Sequence, residues 1–167
     1  MKKSRIILVM FIMIAAFCFS GCSLFDKHEN IDAGMEAVAA LDYDGALASF
    51  DLALEEGEDE RLLYRGYGLA YLGKTEYQLA AESFEKALSL SDGRVNNMDY
   101  DINYYLATAY FKNEQIEEAE KVYSAILNLR DDREAHYLRG IVFLEKGKIA
   151  EAKSDFDIAL SKISGDY

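Results

Sequence analysis

The sequence predicts an all-α protein built from four repeated helix–turn–helix units. The main observation is an alanine followed four residues later by an aromatic residue, which recurs four times at intervals of 34, 39 and 33 residues. The pairs are Ala46 with Phe50, Ala80 with Phe84, Ala119 with Tyr123, and Ala152 with Phe156. A second series of small residues precedes each alanine by twelve positions, at Gly34, Gly68, Ala107 and Gly140. Internal periodicity of this length indicates units that stack and cover each other's apolar faces.

This pattern resembles the tetratricopeptide repeat (TPR), a 34-residue helix–turn–helix unit. The resemblance covers about residues 27–164, with repeats at about 27–60, 61–94, 100–132 and 133–166. It implies a right-handed α-solenoid that forms one domain over residues 28–164. The small residues would lie where two helices approach most closely, and the aromatic residues would fill the space toward the next repeat.

The expected helices span about 28–41, 44–56, 61–72, 76–90, 99–112, 115–129, 133–146 and 149–163. Thr75 with Gln78 predicts a capping box before the fourth helix. Gly73 and Gly147 follow helical segments, as left-handed C-terminal caps would. A longer loop at 92–99 precedes the fifth helix, and Asn97 or Asp99 is expected to cap that helix.

The N-terminus is typical of a lipoprotein signal peptide, predicted at residues 1–21. A short basic segment precedes fourteen uninterrupted apolar residues at 6–19, which suits a signal-peptide core and is short for a membrane span. The segment Phe19-Ser20-Gly21-Cys22 is similar to a bacterial lipobox, which makes Cys22 the predicted lipidation site. Residues 22–27 would then tether the domain to a cell or outer membrane, outside the cytoplasm. An uncleaved anchor that continues through Leu24 and Phe25 is the alternative.

Composition excludes several classes of function. The formal net charge of −12 disfavours a nucleic-acid partner, because phosphate neutralisation requires Lys and Arg.

No hydrolase, phosphate-loop or zinc-protease motif is present, so we expect no enzyme activity, metal or cofactor. The acidic segment 55–60 lacks the calcium-loop spacing and is expected to be a solvated turn. His28 and His136 have no carboxylate at a recognisable spacing, and His136 is expected to pack in the core.

The resemblance further implies that the first helix of each repeat lines a concave binding groove. Helical spacing places the candidate residues on one stripe of each first helix. They are Met35, Arg65, Leu69, Leu72, Tyr104, Thr108, Phe111, Tyr137, Ile141 and Leu144. An apolar peptide could lie there, with Arg65 binding a carboxylate. The same side chains could instead be buried between neighbouring repeats, and the sequence leaves both interpretations open.

The function expected from these observations is a membrane-tethered, non-catalytic scaffold that binds a protein or peptide of the cell envelope. A second hypothesis is a homo-oligomer that stacks through the C-terminal repeat. TPR proteins commonly add a polar closing helix after the last repeat, and we expect none here, which makes Ile158 and Ile163 candidates for an exposed apolar edge.

Overall fold

The computed structural model describes residues 28–162, and this part of the chain folds into helices without strands. The helices are α1 (Glu29–Ala39), α2 (Tyr43–Glu56), α3 (Glu60–Gly73), α4 (Tyr77–Ser89), α5 (Asn97–Lys112), α6 (Ile116–Leu129), α7 (Arg133–Glu145) and α8 (Ile149–Ser161). Every predicted helix is present, and the ends inside the described range lie within two residues of the predicted ends. The predicted end at residue 163 lies outside the described residues.

The helices pack as four pairs in chain order, and each pair packs against the next. The first helices of the pairs also meet, since α1 contacts α3 and α3 contacts α5. Three clusters of buried apolar side chains lie along the stack, one at each junction between successive repeats. This is the predicted α-solenoid, in which the helices that could form a binding face lie side by side.

The recurring aromatic residues occupy the junctions between repeats. Phe50 and Phe84 are fully buried, and Tyr123 is 2% exposed. Phe50 packs against Gly34 in its own repeat and Gly66 in the next, and a Cβ atom at either glycine would collide with its ring. The expected role of the small residues is therefore confirmed, because these backbones leave the space that the ring fills.

The turn inside each repeat contains one residue in the left-handed region. These residues are Leu41 (φ 62°), Thr75 (φ 63°), Glu114 (φ 63°) and Gly147 (φ 70°). In the second repeat, the N–H of Thr75 donates to the carbonyl of Leu72 at 3.1 Å and that of Glu76 donates to Tyr71 at 2.9 Å. This is the paired arrangement of a Schellman motif. Gly147 has the same left-handed conformation in the turn of the last repeat, so it is the C-terminal cap that the sequence predicted.

Two predictions about helix ends are wrong. Thr75 does not cap α4, because it is the left-handed residue of the preceding turn, and Gln78 donates to Glu82 instead. Gly73 is the last residue of α3 and has no positive φ; a Cβ there would collide with the Tyr43 ring. The turn requires its left-handed residue two positions later, so the glycine serves close packing.

Within the described residues, a capping box is present in the loop before α5 and not at Thr75. The side chain of Asn96 accepts hydrogen bonds from the N–H groups of Met98 (2.9 Å) and Asp99 (3.2 Å). The Asp99 carboxylate accepts in return from the Asn96 N–H at 2.8 Å. The predicted cap was thus misplaced by one residue relative to Asn97, whereas Asp99 does take part.

The acidic segment 55–60 is not entirely solvated. The Glu58 carboxylate is buried and accepts the N–H groups of Asn30 at 2.9 Å and Ile31 at 3.0 Å, so it caps the start of α1 from the end of the repeat. Burial alone would raise the pKa of Glu58, but these hydrogen bonds outweigh burial and hold it below its usual value. The expectation of a solvated turn is wrong for this residue.

Candidate functional site: the stripe on the first helices

The ten predicted groove residues lie on α1, α3, α5 and α7, and the two that are exposed are both in the last repeat. Met35, Leu69, Leu72 and Phe111 are half-buried against the core clusters. In the last repeat, Tyr137 is 52% exposed and Leu144 is 46% exposed, with the half-buried Ile141 between them. We call these ten residues the first-helix stripe. Its most accessible apolar surface lies on α7.

The positive charge predicted to bind a ligand is already engaged. The Arg65 guanidinium donates through Nε to Asp101 Oδ2 at 2.8 Å, and its second nitrogen pairs with the same oxygen. One turn earlier, Arg61 pairs with Asp99. Both pairs join α3 to α5, so Arg65 links neighbouring repeats and its charge is compensated within the chain.

The polar residues of the stripe on α5 are also engaged. The Tyr104 hydroxyl donates to Asp132, which caps α7 through the N–H groups of Glu134 and Ala135. Thr108 Oγ1 donates to the Tyr104 carbonyl at 2.9 Å and lies 3.3 Å from the Tyr123 hydroxyl. These contacts leave mainly apolar side chains for a ligand to contact on the stripe.

A cavity of about 620 Å³ opens beside α7 and α8, at the end of the stack. Tyr137, Phe156, Ala159 and Leu160 form its apolar wall, and Arg133 and Glu134 also line it. The rings of Tyr137 and Phe156 lie 5.8 Å apart. Tyr137 therefore belongs to both surfaces, which makes the last repeat the point where the stripe and the end cavity meet.

A second cavity, of about 360 Å³, is lined by residues of α2, α3 and α4. We call it the outer cavity; its lining is Asp51, Leu54, Tyr64, Tyr67, Tyr71, Leu79, Glu82 and Ser83. The Tyr67 hydroxyl donates to Asp51 Oδ1 at 2.5 Å, and burial together with that carboxylate raises the pKa of Tyr67. Sequence reasoning missed this cavity, although the helical spacing of the three tyrosines could have indicated it.

The histidine in the last repeat lies in a buried polar network. His136 Nδ1 lies 2.8 Å from Asp155 Oδ1, and Nε2 lies 3.0 Å from Asp131 Oδ1. Arg139 also holds Asp155, through Nε at 2.7 Å. Burial would raise the pKa of Asp155, but the bonds from Arg139 and His136 outweigh it and lower the pKa. His136 is buried as expected, and its carboxylate partners were not anticipated.

Nothing between residues 28 and 162 forms a group of three or more His, Cys, Asp or Glu side chains that could hold a metal ion. Over the same range, no helix combines the length and apolarity needed to cross a bilayer. The predicted signal peptide, Cys22 and the tether at 22–27 lie outside the described residues.

The comparisons with known proteins agree with this architecture. Two tetratricopeptide repeat family models match residues 31–95 and 71–142. A crystal structure of YrrB, described as a TPR protein with an unusual peptide-binding site, is 30% identical, with a TM-score of 0.67. That alignment covers 82% of this chain and 69% of YrrB. The chain therefore belongs to the TPR family, as the sequence resemblance predicted, and forms its right-handed α-solenoid.

Two further solved structures share the fold at lower identity. A MamA RS-1 double mutant is 20% identical with a TM-score of 0.74, covering 86% of this chain and 79% of that one. MamA AMB-1 is 18% identical with a TM-score of 0.65, covering 81% and 72%. The curated protein sequences contain no match at a significant level.

Proposed function

We propose that this TPR protein is a non-catalytic, lipid-anchored scaffold that binds a protein or peptide of the cell envelope on its first-helix stripe. The observation that carries the proposal is the exposed apolar surface of α7, formed by Tyr137 and Leu144 on either side of Ile141. Exposed apolar side chains at helical spacing are suited to an apolar peptide or helix. YrrB is described as having a peptide-binding site, which supports a peptide as the class of ligand.

The contacts that Arg65 and Tyr104 make within the chain affect which ligand this surface would accept. Because Arg65 is paired with Asp101 and Tyr104 with Asp132, a ligand gains little from presenting a carboxylate there. Affinity would come mainly from apolar contact, which contributes roughly 25 cal/mol per Å² removed from water. We therefore expect a ligand with apolar side chains spaced along one face.

Site-specific photocrosslinking in intact cells tests the binding surface. A crosslinking residue at Leu144 should give one discrete protein adduct, which a second substitution, Tyr137→Glu, should abolish. The matched control is Leu52 on α2, which is 51% exposed and lies outside the stripe and both cavities. Equal adducts from Leu144 and Leu52, or an adduct that survives Tyr137→Glu, would show that the stripe is not the binding surface.

The lipid anchor has its own test. The mass of the N-terminal peptide of the purified protein should correspond to a chain that begins at an acylated Cys22, and Cys22→Ser should leave residues 1–21 attached. Two acyl chains hold a protein to a bilayer stably, whereas one chain does not. A wild-type chain that still begins at Met1 without acylation would favour the uncleaved anchor.

Self-association through the end of the stack is the second candidate. It is favoured by the end cavity, where Leu160 is 61% exposed. A head-to-tail stack would bring the acidic residues Asp32 and Glu36 of α1 against this apolar wall, so we expect two copies to meet end cavity to end cavity. Sedimentation velocity should show dimers that Leu160→Glu dissolves; a monomer at millimolar concentration would exclude the candidate.

A further inference from the structure

The outer cavity has a counterpart at the junction between the third and fourth repeats. Tyr67 and Arg139 occupy equivalent positions, because each directly precedes the recurring small residue. Asp51 and Ser124 each directly follow the recurring aromatic residue of the preceding repeat. The two junctions therefore place different chemistry on the same backbone framework.

At the later junction, this framework holds a guanidinium group. Arg139 donates to Asp155 on α8 at 2.7 and 2.9 Å and to Ser124 Oγ on α6 at 3.2 Å. Its guanidinium carbon lies 5.4 Å from the centre of the Phe143 ring. One carboxylate, one hydroxyl group and one ring surround the cation, which compensates its charge and covers one face.

The outer cavity contains the same three kinds of group without a cation among them. Asp51 on α2 supplies the carboxylate, Ser83 on α4 supplies the hydroxyl and Tyr71 on α3 supplies the ring. Asp51 Oδ1 accepts from Tyr67, while Oδ2 has no partner among the described residues. Within residues 28–162, neither Asp51 nor Glu82 forms an ion pair, although Glu82 accepts a hydrogen bond from Gln78. Both residues are exposed, so their carboxylates are accessible to a cation of a partner.

The tyrosines also favour a cation. The Tyr67 and Tyr71 rings are stacked with centres 6.2 Å apart, and Lys86 Nζ lies 5.6 Å from the centre of the Tyr64 ring. Lys86 is exposed and is not part of the cavity lining, and it forms a cation–π contact at the edge of this tyrosine cluster. A planar cation can lie on an aromatic face while it pairs with a carboxylate.

We propose that the outer cavity binds an arginine side chain of a partner peptide, with the guanidinium paired to Asp51 and lying against Tyr71. The cavity of about 360 Å³ is lined by α2, α3 and α4, and none of its lining residues belongs to the first-helix stripe. The partner would thus place an arginine between the first two repeats, whereas Arg139 fills the corresponding site between the last two.

NMR titration of the full chain in detergent with acetyl-Gly-Arg-Gly-amide tests this site. The ring signals of Tyr67 and Tyr71 should shift, and replacing arginine by neutral citrulline should weaken binding at least tenfold, because a charge-assisted hydrogen bond is lost. Shifts confined to Phe111, Tyr137 and Ile141 would overturn the proposal and assign the peptide to the first-helix stripe. An equal affinity for the citrulline peptide would also overturn it.

Two variant pairs separate a specific site from general attraction to an acidic protein. Asp51→Asn retains an acceptor for the Tyr67 hydroxyl and should weaken arginine binding about tenfold. The control, Glu36→Gln, removes one exposed charge on α1 and should have no effect. Tyr71→Phe should preserve binding, and Tyr71→Leu should weaken it about threefold. Equal binding by the Asp51 and Glu36 variants would refute the proposal.

Discussion

Phe50 and Phe156 occupy the same position in the first and last repeats, but their surroundings differ. Phe50 is fully buried between Gly34 and Gly66, because the following repeat covers it. Phe156 packs on Gly140 in its own repeat, but no following helix covers it in the described structure, so it lines the end cavity. An identical residue thus completes a junction at one place and leaves an accessible apolar surface at the other. Stacking, and not residue type, therefore decides which of these rings is buried.

The largest effect should come from removing the two rings. Phe50→Ala should destabilise the domain by about 3–5 kcal/mol, because it leaves a cavity between two repeats. Phe156→Ala should have less than half that effect, since its ring is already partly in contact with water. Urea denaturation followed by circular dichroism measures both variants, and equal losses would contradict the difference in packing.

Adding a methyl group beside each ring should also affect the two junctions differently. Gly66→Ala should destabilise by about 1–3 kcal/mol, because the Phe50 ring is enclosed and cannot move away. Gly140→Ala should be close to neutral, since Phe156 can shift toward the end cavity and alanine is favoured over glycine in a helix. Thermal unfolding of the two variants is the measurement, and a Gly140 variant as unstable as the Gly66 variant would show that Phe156 is held rigidly.

The two ends of the stack should both lose stability in acid. Glu58 caps α1 and Asp155 joins α7 to α8. Each has a folded-state pKa below its ordinary value, which is 4.5 for Glu58 and 3.8 for Asp155. Their contributions are therefore fully present above those values and are lost as the pH falls through the lowered pKa values. Glu58→Gln and Asp155→Asn should each lower the free energy of unfolding by about 1 kcal/mol at pH 7. Each variant should also lose less of its remaining stability than the wild type as the pH falls, which would flatten the acid limb of the stability–pH curve.

Unfolding measured from pH 7 down to pH 2 tests this linkage. Asp157→Asn is a suitable control, because Asp157 is exposed on α8 and its ion-pair partner among residues 28–162 is the exposed Lys153. A control variant with the same flattened acid limb would show that net charge, and not the buried carboxylates, governs acid stability.

The smallest effect should appear at the turns inside the repeats. Thr75 is a β-branched residue with a φ of 63°, whereas Gly147 occupies the equivalent left-handed position in the last repeat. Thr75→Gly should stabilise the domain by about 1 kcal/mol, and Gly147→Ala should destabilise it by a similar amount. Melting temperatures should change in opposite directions, and a destabilised Thr75→Gly variant would show that its side chain contributes more than the strained backbone costs.

The number of repeats, their phase and the positions of the eight helices between residues 28 and 162 could be predicted from the sequence. Those features depend on local periodicity and on which residues are small or aromatic, and both can be read along the chain. The TPR resemblance also assigned Phe50 and Phe84 to the space between repeats, and both are fully buried there.

The partners of the polar residues could not be predicted from the sequence, because they depend on contacts between repeats. Arg65 meets Asp101, Glu58 meets Ile31 and His136 meets Asp155 across separations of 36, 27 and 19 residues. No local pattern encodes such pairs, since they arise when one repeat stacks on another. The same stacking closes the junction around Phe50, opens the cavity beside Phe156 and leaves Asp51 without a cation, because each depends on what the neighbouring helix presents at that place.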